Sequence, residues 1–105
     1  MSYTEIKENA LKDKSFEFPF NGDFYIAANI LELKKRFDID VAIETGSFRY
    51  FTARWFAANF TTAHTIEFDD YLFETYAPSE ENLTCWHGSS AVLIKDICQI
   101  GRAHV

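Results

Sequence analysis

The chain has 105 residues, a formal net charge of −6 and 48% hydrophobic residues, with 11 Phe, 5 Tyr and 2 Trp among them. That length holds one domain or less, and that apolar content excludes a disordered chain. No Lys or Arg stands between Arg54 and Lys95, whereas Glu67, Asp69, Asp70, Glu74, Glu80 and Glu81 all do; a nucleic-acid groove needs clustered positive charge, so no nucleic acid is expected to bind through this acidic half.

Residues 1–22 read as an N-terminal helix and loop. Ser2 can cap a polar helix over 3–14, with Glu5 completing a capping box. Phe16, Phe18 and Phe20 then alternate with polar residues or Pro19, and Asn21-Gly22 marks a turn. A stronger helix is predicted over Phe24 to Phe37, capped by Asp23, with Ile26, Ile30, Leu33 and Phe37 as its apolar stripe. Lys34, Lys35 and Arg36 suit its C-terminal end, where the helix dipole is negative.

Val41 to Glu44 reads as a short strand buried on both faces. Residues 49–59 read as a helix with Phe51, Trp55, Phe56 and Ala58 on its apolar side. Ala63 to Phe68 is the second predicted strand, and Asp69 and Asp70 open a helix through about Tyr76. After a loop over Pro78 to Glu81, Leu83 to His87 is the third strand. Gly88-Ser89-Ser90 then turns into a helix over Ala91 to Cys98, and residues 99–105 read as a tail.

Alternation of this kind with short connections predicts an α/β fold: a three-layer, Rossmann-like partial domain over residues 23–98, with a short parallel sheet of about three strands flanked by helices. Three loops then open at the same sheet edge: Glu44 to Phe48, Glu67 to Asp69, and His87 to Ser90. A glycine in the first lets backbone approach a ligand, and an acid ending the second strand, about 20 residues on, accepts hydrogen bonds from ribose hydroxyls. Glu44 and Glu67 are expected to converge on a cleft floored by Gly46.

Other chemistries find less support. Cys85 and Cys98 are too few and too far apart for a zinc set or disulfide framework, and read as buried thiols. His64, His87 and His104 share no metal-ligand spacing, so no metal is expected; His87 stands near the pocket mouth. Ser47, Ser89 and Ser90 lack the Gly-x-Ser-x-Gly setting of a nucleophile, and the lysine-bearing phosphate loop is absent. A nicotinamide dinucleotide is less suited, since one glycine gives a pyrophosphate poor access. With no basic-then-apolar leader and no run of membrane-spanning length, a cytoplasmic protein without a membrane partner is expected.

Ile43-Glu44-Thr45-Gly46-Ser47-Phe48, then Thr65-Ile66-Glu67, then Asn82 to Ser90 with Val92-Leu93, resembles the front half of a class I S-adenosylmethionine-dependent methyltransferase. The resemblance spans residues 26–97. It implies that Thr45, Gly46, Ser47 and Phe48 face the methionine end of S-adenosylmethionine and that Glu44 helps hold its amino group. It also implies that Glu67 binds the ribose hydroxyls, that Phe68 packs near the adenine, and that Gly88 and Ser89 flank the base, Ser89 standing where many relatives carry an acid. Relatives usually have a second glycine near Tyr50, so this bulky residue is expected to shrink or close the pocket. The chain stops after the third strand, short of the half that would position a methyl acceptor. It therefore reads as a truncated or fragmentary methyltransferase, or else as a non-catalytic binding or interaction module that kept the fold without the cofactor. The first strand would have one side unpaired, an edge that invites homodimerisation.

Overall fold

The structure is a computed structural model that describes residues 18–103. The helix expected over 3–14, its cap, Phe16 and His104 lie outside the described residues. A 3-10 turn (Pro19–Gly22) leads into α1 (Phe24–Phe37), followed by β1 (Val41–Thr45), α2 (Phe51–Asn59), β2 (Thr62–Glu67), α3 (Asp70–Tyr76), β3 (Leu83–His87) and α4 (Ser90–Ala103). The strands lie side by side in the order β1-β2-β3, and both pairs are parallel. This is the α/β, Rossmann-like partial fold expected from the alternation.

Local chemistry sets the helix ends. The Asp23 carboxylate accepts from the N–H groups of Tyr25 (3.1 Å) and Ile26 (3.2 Å), satisfying donors that α1 leaves open. At its other end Asp38 takes a left-handed backbone (φ 53°), and the Ile39 N–H returns to the Lys34 carbonyl. Asp69 caps α3 through Leu72 N–H at 2.9 Å.

The core lies between α2 and the sheet. Tyr50, Ala53, Ala57, Ala63 and Leu83 form its buried centre, with Phe56, Tyr76, Ala77 and Cys85 packed around it. Alanines on both surfaces let helix and sheet approach closely. Strand alternation puts Ile66 on the opposite face, where α4 meets β2 and Ile97 is buried. Burial of an isoleucine of this kind is worth about 2 kcal/mol. On that face Trp86 Nε1 also donates to His64 Nδ1 at 3.1 Å.

The segment before α1 is fastened onto α2. The Phe20 N–H donates to Thr52 Oγ1 (2.8 Å), and its ring meets Trp55 and Phe56 edge-on, at centroid distances of 5.1 and 5.6 Å.

The α1 stripe is present as expected; among the described residues Ile30 is half-buried, while Ile26, Leu33 and Phe37 are 43%, 48% and 64% exposed. Several expectations need correction. β1 is not buried on both faces, since Val41 is 45% exposed at its start. Helix α2 begins at Phe51 rather than residue 49, because Tyr50 takes a left-handed backbone (φ 70°) that no helix interior admits. Helix α4 runs on through Ala103, so the segment after Cys98 continues the helix instead of leaving it. Cys98 is exposed and Cys85 half-buried, because β3 is the outer strand and α4 turns Cys98 to solvent. Among the described residues, no helix is long and apolar enough to cross a membrane.

Asn82 joins α2 to the start of β3. Its Nδ2 donates to the carbonyl of Ala57 at 2.7 Å and also reaches those of Phe60 (3.2 Å) and Thr61 (3.4 Å). Asn82→Ala leaves these carbonyls at the end of α2 without that donor and is expected to cost about 1–3 kcal/mol. A urea midpoint unchanged from the parent chain would contradict this role.

Candidate functional site

The site forms at the carboxyl ends of the three strands, the edge where open parallel sheets receive ligands. Register places Glu44 beside Thr65, and Thr65 and Glu67 share a face because they are two residues apart. Glu44, Thr65 and Glu67 therefore project from the α2 face of adjoining parallel strands, toward one end. Glu44 and Glu67 thus lie at the same end of neighbouring parallel strands, as expected.

Thr65 joins the first loop to the strands. Fully buried, it donates from Oγ1 to Glu44 Oε1 at 2.7 Å and shares a short hydrogen bond with the Ser47 hydroxyl. Glu67, only 7% exposed, ties the first loop to the second. Its Oε1 accepts from the Phe48 N–H (2.8 Å) and its Oε2 from the Asp69 N–H (3.0 Å). Each carboxylate oxygen retains a second lone pair for another donor. Phe48 reaches this geometry with a left-handed backbone (φ 51°).

Gly46 and Gly88 bring the first and third loops back onto β2. The Gly46 N–H donates to the Ile66 carbonyl (2.9 Å), and the Gly88 N–H to the Glu67 carbonyl (3.0 Å). Gly46 has φ +77°, and a side chain there would meet no atom within 4 Å. Glycine at 46 thus serves the turn and leaves open space in front of the backbone.

Two hollows meet at Gly46. One, of about 320 Å³, has walls from Glu44, Ser47, Phe48 and Arg49 and from the fastened segment through Phe18 and Asn21. The other, of about 260 Å³, is lined by Thr45, Ile66, Glu67, Phe68, Gly88 and Ser90. Phe68 is 76% exposed, a ring free to lie against a ligand. Of the residues expected from the sequence, Glu44, Gly46, Ser47 and Phe48 line the first hollow and Thr45, Gly46, Glu67, Phe68 and Gly88 the second, with Gly46 shared. Ser89 does not line either hollow; Ser90 does.

Tyr50 does not close the pocket. Its left-handed backbone turns the side chain inward, where it is 1% exposed and forms part of the core. The phenol lies near Ser47 without a well-formed hydrogen bond, and burial pushes its pKa up to about 12.

Sequence reasoning missed Thr65 as the joining residue, and Ser90 and the Phe18–Asn21 wall as lining. Period-two alternation back from Glu67 was the signal for Thr65. Nothing local to residues 18–21 announces that they fold against α2. His87 was noted near the mouth. It donates from Nε2 to Asp70 at 2.7 Å and stacks on Phe73 with centroids 4.6 Å apart, beside a further hollow lined by Phe68, Asp69 and Gly88. No group of three or more His, Cys, Asp or Glu among the described residues is arranged to hold a metal.

Burial raises the pKa of Glu44 from 4.5 to about 7, with a further push from the Glu67 charge and an opposing pull from the Thr65 hydroxyl. The group is therefore poised between its neutral and charged forms near neutral pH.

No protein-family model matches the chain, and no curated protein or solved structure is similar enough to match it.

The raised Glu44 pKa makes stability depend on pH with a defined sign. Between 4.5 and about 7 the folded state holds a proton that the unfolded state has released. Stability is therefore highest below 4.5 for this group, falls as pH rises, and levels off above 7. Glu44→Gln keeps an acceptor for Thr65 without the charge. The variant is expected to match the parent at pH 4.5 and exceed it at pH 8 by roughly 1–3 kcal/mol. Urea unfolding at both pH values measures it; equal differences at the two would contradict the buried-charge account. Tyr50→Phe removes a buried hydroxyl that lacks a partner, so it is expected to leave stability unchanged or raise it by about 1 kcal/mol.

Proposed function

We propose that this chain is a binding unit for S-adenosylmethionine, of the kind found in class I methyltransferases. The observation that carries the reading is Glu67. Its buried carboxylate is fixed by two backbone N–H groups and borders the hollow between Gly46 and Gly88, with oxygens still able to accept. Such a group suits a vicinal diol, which offers two hydroxyl donors at matching spacing.

The rest of the cleft fits the same molecule. Open backbone at Gly46 joins the two hollows, as a ligand with a nucleoside and an amino-acid end requires. Phe68 offers a face to a base. Glu44 in the first hollow suits an ammonium group, and S-adenosylmethionine would supply the reactive methyl sulfonium when bound. The chain's own residues would hold and orient it: Glu67 the ribose, Glu44 and the Gly46 loop the amino-acid end. Transfer to an acceptor is largely positioning, and the reading extends to cofactor binding. Placement in the cytoplasm belongs to the same proposal.

A second reading, a non-catalytic interaction module, draws on Ser89. It is no acid and does not line either hollow, so the base end lacks one acceptor that related sites provide.

Titration calorimetry with S-adenosylmethionine and S-adenosylhomocysteine separates the two. Both ligands are expected to bind competitively, and Glu67→Ala to weaken them about 30- to 100-fold through loss of charge-assisted hydrogen bonds. Absence of heat with either at about millimolar concentration overturns the first reading. Affinity is further expected to rise from pH 6 to pH 8 with release of a proton, because a bound ammonium draws Glu44 into its charged form from a free pKa of about 7. Binding heats that do not change with buffer ionisation enthalpy would count against Glu44 as the ammonium partner.

A further inference from the structure

The first hollow is walled by both signs of charge. Among the described residues that line it, Glu44 is the one acid and Arg49 the one base. The two do not neutralise each other by contact. Burial holds the Glu44 pKa at about 7, whereas a guanidinium against the carboxyl would pull it well below the usual value. A cation partner and an anion partner thus stand apart in a hollow of about 320 Å³, at the small end of ligand pockets.

Arg49 is set in place by its neighbours. Phe48 before it and Tyr50 after it both have left-handed backbone, with φ of 51° and 70°. Its guanidinium lies over the rings of Tyr76, at 4.8 Å from the centroid, and Phe51, at 5.9 Å. Phe51 opens α2 and lines the same hollow. Ring contacts of this kind engage the faces of the guanidinium, whereas its five N–H donors point along its edges. Five donors are more than a single partner uses, and the rigid fork matches the two oxygens of a carboxylate.

We propose that Arg49 binds the carboxylate of the ligand whose ammonium group Glu44 receives, so that the first hollow selects an α-amino acid rather than a simple amine. The proposal rests on the S-adenosylmethionine reading and adds the second charge contact at the amino-acid end. An α-amino acid carries its ammonium and carboxylate on one carbon. A ligand with both groups therefore gains both contacts at once, and an amine gains only the one at Glu44. Arg49 is then the residue that distinguishes S-adenosylmethionine from its decarboxylated form.

Titration calorimetry on the full 105-residue chain with these two ligands tests it, since they differ only in the carboxylate. The parent chain is expected to bind S-adenosylmethionine about 10- to 100-fold more tightly. Arg49→Gln is expected to remove this preference by weakening S-adenosylmethionine alone, with the decarboxylated form held within about twofold of its parent affinity. Arg49→Lys keeps the charge without the fork and is expected to retain part of the preference. Glu67→Ala is expected to weaken both ligands alike. Circular dichroism reports whether each variant folds; if Arg49→Gln does not, Arg49→Lys and the parent's own preference decide. A parent chain without preference, a preference unchanged by Arg49→Gln, or an equal loss for both ligands would overturn the proposal and leave the S-adenosylmethionine reading standing. Binding of neither ligand overturns both.

Discussion

The arrangement of this cleft depends on one buried hydroxyl. Thr65 sits at the seam of two parallel strands, donating to Glu44 on β1 and meeting Ser47 in the loop that follows. Without it, Glu44 would be a half-buried carboxyl with a free choice of rotamer, and the first loop would lose its tie to β2. With it, strand register becomes loop position. The pairing of Glu44 with Thr65 in the sheet sets where Ser47 lies, and Ser47 lies beside the glycine that opens the backbone. Glu67 repeats the device one step further along β2, accepting from the loops on both sides. β2 is therefore the strand from which the whole edge is organised, and it is also the most buried of the three.

Two of the five non-glycine residues with positive φ among the described residues lie in the same loop. Phe48 and Tyr50 both take left-handed conformations, which cost a residue with a side chain roughly 1 kcal/mol or more each. Each has an evident compensation. Phe48 aims its N–H at the Glu67 carboxylate. Tyr50 buries a large ring against Ala53, Ala57, Ala63 and Leu83, a gain of about 2–3 kcal/mol that exceeds the strain. A glycine at 50 would adopt the same backbone easily and leave a hole in the core. Tyr50 thus keeps the turn, fills the interior and leaves the cleft open.

These balances explain what could be read in the sequence. Element order and parallel topology were legible because the apolar runs are short, the caps at Asp23 and Asp69 are unambiguous, and each connection is too long for a hairpin and short enough for a crossover. α1 and β3 have the expected ends. The cleft residues were legible for the same reason: a strand end fixes where its last acid and the following glycine must go. Residue size alone makes Tyr50 a plug for the pocket, whereas its backbone conformation sets it in the core. Bulk closes a pocket only when the side chain points into it, and a left-handed φ points this one the other way. The stripe on α1 was legible as a shared face, but not its exposure. Periodicity tells which residues share a face, not whether anything lies against that face.

Electrostatics bring these threads together. Two carboxylates project from one face of the sheet; residues 55 to 94 contain no Lys or Arg, and Arg49 is the basic residue in the wall of the hollow beside Glu44. Glu67 is supported by two backbone donors, while Glu44 has a single hydroxyl and a neighbouring negative charge. Burial, with the Glu67 charge adding to it, raises Glu44 to about 7 and leaves it poised between its neutral and charged forms near neutral pH. A cation entering the first hollow would reverse the balance at Glu44, replacing a proton with a ligand charge. A neutral or anionic occupant would gain nothing from doing so. On the proposed reading the cleft would discriminate by charge at one end, through the burial of Glu44, and by hydroxyl geometry at the other, through the backbone donors that fix Glu67.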